Sequence, residues 1–402
     1  MIKKITQSIT FFQEFFSTVF TGNSQNAINA IEVLLMLASG HIFDIFTPNH
    51  LVQILSIDKN KVYSAIKAWS VFLSRKLLFV TGCHIAYILI KYAINKSPST
   101  LSRMRITLCV DDTVVDRAGK LISLTYNWFS GKHKKTVYGQ NIIAITIKIG
   151  KRIIPLNIRP VGKQGRGNTS KPDIFRDMLH EVLDFFKQKD INLTQFPITF
   201  DSWYGSKELI DMLSIDMLSK EKFTQILIHA KGNYVFKIDG KKQKLSAHKK
   251  DIQFQQSAWG CKGVPTVRKS AESPTESPTE SPTFGKVLLL FFKDGERVNC
   301  IMVFGRKLRA SEIMSIWKQH NSIECFWKRL KSDLQIHKVR MRDREGVYAM
   351  VGIKLVAYLL MEHLSFQTGL TFHQLKIQAK REIDICSFFS EHFHSFMVSK
   401  GL

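Results

Sequence analysis

Acidic residues are scarce in this sequence. Among 402 residues, Asp and Glu total 33 against 58 Lys and Arg, a formal net charge of +25 at pH 7. A surplus this large excludes a self-neutralised surface and implies a polyanionic partner, nucleic acid before an anionic membrane. Long hydrophobic runs are also lacking. The most apolar stretches, such as Ile31–Ala38 and Val287–Phe292, fall far short of the about 20 residues that a membrane span needs. The N-terminus, MIKKITQSITFFQEFFSTVF, is interrupted by Gln7, Gln13 and Glu14 and lacks a small-residue cleavage site, so no signal peptide is expected. Paired cysteines are missing. Cys83, Cys109, Cys261, Cys300, Cys325 and Cys386 form no CxxC motif, which removes support for zinc ribbons and thioredoxin-type redox sites. Scattered single thiols suit a reducing cytosol and read as small buried hydrophobes. Gly162–Gly167 (GKQGRG) has glycines but no Gly-Lys-Ser/Thr after a strand, so no P-loop and no ATP requirement are expected.

What is present suffices for a sizeable core: 45% hydrophobic and 23% charged residues are ordinary for globular chains, and the length suits two or three domains. Residues 1–100 read as mostly helical. Ala27–Ala38 and Lys61–Phe72 carry apolar residues at helical spacing, with Pro48 and Pro98 as breakers. Such a basic helical region could read a DNA end or be a plain bundle. From Ile106 the pattern becomes α/β: a strand Ile106–Val110, a hairpin Asn141–Ile149 and Arg152–Ile158 about Gly150-Lys151, and a helix Pro172–Lys187. A strand Phe196–Phe200, a helix Lys207–Leu218 and a strand Gln225–His229 follow. Residues 231–303 hold short strands, Tyr234–Ile238, Lys286–Phe292 and Val298–Phe304, around ESPTESPTESPT at Glu272–Thr283. That repeat cannot build a core and reads as a solvated, disordered loop. Helices are expected over Ser311–Leu334, Glu345–Leu364 and Phe372–Lys380.

Three acids stand out. Asp111 and Asp201 each end a buried-looking strand, and Glu324 lies in a basic helix. Carboxylates at strand ends face the crevice where open α/β sheets bind ligands. Two or three of them can hold a pair of Mg²⁺ ions about 3.5–4 Å apart for phosphodiester displacement. Each alone reads equally as a turn former or cap. At about 100° per residue, Trp317, His320, Glu324 and Lys331 fall within roughly 60° of one another. Ile316, Ile323, Phe326 and Leu330 form the neighbouring, core-facing stripe, and Lys328 and Arg329 add positive charge.

In these residues the chain resembles the DDE transposases of bacterial insertion sequences, in the group marked by a Tyr-x2-Arg-x3-Glu-x6-Lys signature. The spacing stands here as Trp317-x2-His320-x3-Glu324-x6-Lys331. Ile323–Lys331 (IECFWKRLK) looks like the family's glutamate helix. Val110–Thr113 (VDDT) resembles its first Asp-x-Thr block, which selects Asp111 over Asp112, and Phe200–Gly205 (FDSWYG) resembles its second. The likeness covers roughly Ile106 to Leu364. It implies a ribonuclease-H-like α/β catalytic core (101–230 and 304–364) interrupted by a β-rich insertion (231–303). A helical N-terminal DNA-binding domain (1–100) and a helical C-terminal region (365–402) would flank it. It further implies that Asp111, Asp201 and Glu324 bind two Mg²⁺ ions, for which Mn²⁺ would substitute. Lys331 and the Arg position, here His320, would contact transposon-end phosphates, with the Tyr position, here Trp317, beside them, and Lys328 and Arg329 would lie toward the DNA. The partners would be double-stranded DNA, as element ends and target, and a second copy on DNA. No membrane or nucleotide cofactor is implied, and the location would be a bacterial cytoplasm, at the nucleoid. Two departures are visible: Trp317 stands at the Tyr position and His320 at the Arg position. Trp can stack on a base but lacks the phenol donor, and His replaces a permanently charged fork with a pH-dependent group.

Other candidate phosphate contacts are Lys134 within Lys132–Lys135, Lys163, Arg166 and Lys171 in the Gly-rich loop, and the run Lys241–Lys250. Trp259 could stack on a flipped base or be a core side chain. The competing readings are a ribonuclease-H-like nuclease or resolvase, and an inactive DNA-binding derivative.

Overall fold

The computed structural model describes residues 1–19, 25–67, 71–96, 105–116, 122–131, 133–162, 171–206, 208–210, 213, 223–254, 265–272, 286–338 and 341–399. Lys163, Arg166, Trp259, residues 273–283 of the repeat and most of the helix expected over Lys207–Leu218 lie outside them.

Among the described residues, five α-helices precede the sheet: α1 (Ile2–Val19), α2 (Gln25–Gly40), α3 (Pro48–Leu55), α4 (Lys59–Lys67) and α5 (Val71–Lys96). Thr47 caps α3 by accepting from His50 N, and Pro48 at its first turn lacks only an N–H that the helix would leave unused. The strands are β1 (Thr107–Asp116), β2 (Tyr126–Ser130), β3 (Lys135–Ile149), β4 (Arg152–Val161), β5 (Ile198–Phe200) and β6 (Gln225–His229). They continue as β7 (Val235–Ile238), β8 (Lys241–Lys244), β9 (Thr266–Glu272), β10 (Lys286–Asp294) and β11 (Arg297–Gly305). The remaining helices are α6 (Lys171–Lys187), α7 (Leu245–Asp251), α8 (Ala310–Ser332), α9 (Arg344–Thr368), α10 (Phe372–Glu382) and α11 (Ile385–Ser399).

All eleven strands join one mixed sheet in the order β2-β3-β1-β5-β6-β11-β10-β9-β7-β8, with β4 also on β3. β3 pairs antiparallel with β1, β2 and β4. β1, β5 and β6 are mutually parallel neighbours. Beyond them β11, β10 and β9 add on antiparallel, so residues 231–303 extend the same sheet. The expected hairpin forms with Gly150 at φ +59°, a turn conformation that costs glycine nothing. One expected boundary differs. The first strand does not stop at Val110 but runs to Asp116, because β3 offers a partner at every position to Gly139. Only the parallel pairing with β5 ends at Val110.

The N-terminal helices share one continuous core with the sheet and the C-terminal helices. α5 lies directly on β4: a Cβ on Gly82 would sit 1.9 Å from Pro155 O, so only glycine permits this approach. α9 is apolar on every side, as a helix enclosed by protein must be. By length and composition it could cross a membrane, a feature not expected from the sequence, yet it is almost wholly buried. Its one internal cation, Lys354, is fully buried and placed 2.8 Å from His41 Nε2 and 2.7 Å from Phe46 O. Burial holds His41 well below the usual imidazole range, so the ring is a neutral acceptor for that ammonium.

Candidate active site

The parallel strands β1, β5 and β6 deliver three polar side chains to one end of the sheet. Asp111 follows the last residue of β1 that pairs with β5, and Asp201 follows the last residue of β5. His229 closes β6 beside it, since Phe200 pairs with Ile228. Alternation along β1 sends successive side chains to opposite faces. Cys109 contacts Gln319 O (3.5 Å) and Ser322 Oγ (3.8 Å) of α8, so Asp111 faces α8 as well. Asp112 points the other way, where Lys171 of α6 pairs with it and Asn141 Nδ2 donates to it at 2.7 Å.

Asp111, Asp201 and Glu324 line one cavity of about 390 Å³. Trp317 and His320 of α8 form its wall with His229. Asp201 also caps the next short turn, accepting from Ser202 N at 2.6 Å. Burial raises the Asp111 carboxyl well above the usual carboxylate range, and the charges of Asp112 and Asp201 push it further. Burial and Asp201 raise Glu324 as well. These are carboxylates packed near one another: among the described residues, neither Asp111 nor Glu324 is in an ion pair, and Lys171, paired with Asp112, offsets only part of the repulsion at Asp111. Hard oxygen donors whose mutual repulsion is only partly relieved suit a hard divalent cation such as Mg²⁺ or Mn²⁺. Among the described residues no three His, Cys, Asp or Glu side chains converge into a closed cage. Mg²⁺ usually keeps several waters and shares its ligands with substrate phosphates, so an open, acid-rimmed cavity fits it.

The wall is a stack of three rings. His229 lies over Trp317 with centroids 6.1 Å apart and planes at 21°, and Trp317 over His320 at 4.8 Å and 15°. His320 is buried, and its Nδ1 is 3.0 Å from Thr199 Oγ1. That hydroxyl gives its single proton to Leu108 O (3.2 Å), so Nδ1 is the donor and Nε2 is left as an acceptor. Burial lowers His320 to about 4, against the opposing pull of Asp201. His320 is therefore a neutral strut in the cavity wall. Burial of the ring disfavours the charged form that a phosphate contact at this position would use.

Arg329, expected on the DNA side, is engaged within the fold. Its guanidinium pairs with the half-exposed edge of a buried network, Glu362 and Tyr358 of α9, and lies 4.6 Å over the Phe372 ring. Lys328 is exposed on the same turn, whereas Lys331 is half-buried and does not line the cavity. Lys134 lies in the β2–β3 turn, ten residues from Ala144, the partner of Asp111. At about 3.3 Å per residue that is roughly 30 Å away.

Sequence reasoning missed three contributors: His229, Thr199 and Asn299. Asn299 hydrogen-bonds His229, which stands 3.9 Å from Asp201 Oδ1. A signal for His229 existed, since QILIH ends in a polar residue just as FPITF runs into Asp201. Lys171 was expected only as a phosphate contact, and its pairing with Asp112 gave no signal, because that partner is 59 residues away.

The family model for the transposase DDE domain matches residues 102–360 of this chain. No curated protein matches it significantly.

Proposed function

This chain belongs to the transposase DDE domain family, and from that premise we propose that it cuts DNA at the ends of an insertion sequence and joins the freed 3′-OH to a target. The observation that carries the reading is the convergence of Asp111, Asp201 and Glu324 on one cavity. These three are the residues that would hold two divalent ions, Mg²⁺ or Mn²⁺. Cations bound there supply Lewis acidity to the attacking and leaving oxygens of an in-line displacement. Asp111 sits on a paired strand and Glu324 on a packed helix, so neither needs to reorganise to meet a phosphate. Trp317 offers its ring as a stacking surface for a base beside the cut. Lys328 and Lys331 on the turns beyond Glu324 would contact the flanking phosphates.

The sequence of steps follows the family resemblance. Water first opens a strand at the element end. The freed 3′-OH attacks the opposite strand to give a hairpin, water reopens it, and the 3′-OH then attacks target DNA. Two ends must be held together, so a homodimer on DNA is part of the proposal. So are a ribonuclease-H-like core interrupted by residues 231–303, a DNA-reading role for residues 1–100, and a cytoplasmic, nucleoid-associated location. The antiparallel triple β4-β3-β1 joined to the parallel β5 and β6, with α6 and α8 on opposite faces, supports that core.

The test is incubation with Mg²⁺ and a duplex carrying the element's own ends, taken from the flanking genomic sequence, with Asp201→Ala alongside. Hairpin or joined product on a denaturing gel, lost in the variant, is the expected result. Nicks without joining would point to a nuclease on the same scaffold. Binding without cleavage in Mg²⁺ or Mn²⁺ would mean an inactive derivative, and Trp317→Tyr with His320→Arg is the rescue to attempt.

A further inference from the structure

A second concavity, of about 810 Å³, opens at the start of β10 and is lined by Lys237, Arg268, Lys286 and Lys307. Asp239 is the one acid among its lining residues, and it is already paired with Lys269 at 2.6 Å. Arg268 is fixed by donating to Leu308 O at 2.9 Å. Lys237, Lys286 and Lys307 are exposed, and among the described residues none of the three is in an ion pair.

Lysines on a sheet often serve only to keep an edge strand from pairing with another molecule. Lys241, Lys242 and Lys244 on β8, the outermost strand, read that way. Lys286 does not, because β10 lies inside the sheet between β9 and β11. Lys237, Lys286 and Lys307 come from three separate segments and converge on one hollow. Glu272 stands opposite both Lys286 and Lys237 in the strand register, so one acid besides the paired Asp239 borders the hollow, against Lys237, Arg268, Lys286 and Lys307. Cations in excess of acids raise the local potential and call for a polyanion.

Register places this hollow on the same face of the sheet as the acidic cavity. Leu290 and Phe292 of β10 pack against Ile313 and Met314 of α8. Lys286 shares their parity, so its side chain emerges on the α8 side. Arg268 stands opposite Leu290 in β9. Asp111 and Glu324 face α8 or belong to it, so cavity and hollow lie along one helix. Fourteen residues separate Ala310, beside the hollow, from Glu324. That is roughly 21 Å at 1.5 Å per residue, or about six base pairs at 3.4 Å each.

We infer that the hollow bounded by Lys237, Arg268, Lys286 and Lys307 is a phosphate-binding track for duplex DNA running on from the active-site cavity, about six base pairs from the cut. The inference rests on the DNA-cleaving reading above and adds the path of the substrate across residues 231–303.

The test is the salt dependence of binding to a fluorescein-labelled 30-base-pair duplex of arbitrary sequence. It compares the wild type, the combined variant Lys237→Gln, Lys286→Gln, Lys307→Gln, and a control, Lys241→Gln, Lys242→Gln, Lys244→Gln. Each phosphate contact contributes about 0.9 to the slope of log K against log salt, so the first triple variant should lower it by about 2.7. The control should change it by much less. All six side chains are exposed, and equal melting temperatures would confirm that folding is intact. A slope unchanged in the first variant, or lowered as much by the control, overturns the track. A second arm uses the element-end substrate trimmed on either side of the cut. The cleavage penalty of the first variant should vanish once one arm is shorter than about six base pairs, and a penalty independent of length overturns the placement. If the wild type itself neither binds nor cuts duplex DNA, the transposase reading fails. If it does both and the variant behaves like it, only the track is wrong.

Discussion

The two faces of β1 treat adjacent aspartates in opposite ways. On the α6 face, Asp112 is matched by Lys171 and Asn141, with Tyr204 Oη at 3.4 Å. On the α8 face, Asp111 looks into a cavity shared with Asp201 and Glu324, and burial and neighbouring negative charge push its carboxyl up. Folding alone favours the first arrangement, because a charge removed from water needs a partner. The second is tolerated where another species supplies the missing positive charge. A matched acid holds the scaffold, and an unmatched one in a cavity is available for chemistry.

The sharpest way to break that contrast is to neutralise each side. Asp111→Asn should reduce cleavage by more than about a thousandfold, the several kcal/mol that Lewis-acid assistance provides. It should leave the melting temperature equal or higher, since a repelling charge is gone. A large loss of stability instead would mean that Asp111 is structural. Lys171→Met is the converse. Removing one partner of a buried pair leaves Asp112 uncompensated and should cost about 3 kcal/mol in a denaturant titration. The activity of the molecules that remain folded should fall far less than in Asp111→Asn.

The cavity wall gives a pH-dependent version of the same distinction. Unfolded His320 takes up a proton below about pH 6.5, whereas the folded ring resists until about 4. The unfolded state therefore binds more protons across that window, and stability falls as pH falls through it. From pH 7 to pH 5 this contribution should reach about 2 kcal/mol. Asp111 and Glu324 act in the opposite direction, because their raised values let the folded state bind protons more readily. The difference between the wild type and His320→Gln isolates the imidazole, and parallel stability–pH curves for the two would refute the buried neutral assignment. The smallest expected effect separates two neighbouring cations on α8. Lys328→Gln should lower the salt slope of DNA binding by about 0.9 and leave stability unchanged. Arg329→Gln should do the reverse, losing stability through Glu362 while the slope holds.

Much of the site was legible in the sequence because it depends on local features. Helical periodicity alone put Trp317, His320 and Glu324 on one face, and all three line the cavity. The hairpin about Gly150 and the strand Gln225–His229 were readable from β-branched runs bounded by turn residues. Partners distant in sequence were not readable. Nothing near Arg329 announces Glu362, 33 residues on, and nothing near His320 announces Thr199, 121 residues back. Both residues looked like surface cations until their neighbours were known. The helix α9 was expected, but its near-complete burial was not, since Lys354 and Glu362 interrupt its hydrophobic run and find His41 and Arg329 on other elements.

By itself the sequence determined the excess of positive charge, the order of strands and helices, and the spacing of the three acids. These follow from composition and from periods of 2 and 3.6 residues, which the chain carries locally. The tertiary structure alone decided which acids are neutralised, which cations are free to meet DNA, and that the acidic cavity and the basic hollow share one helix. Those outcomes depend on distance and dielectric between groups far apart in the chain, and both are set by how the sheet pairs and which face each helix covers.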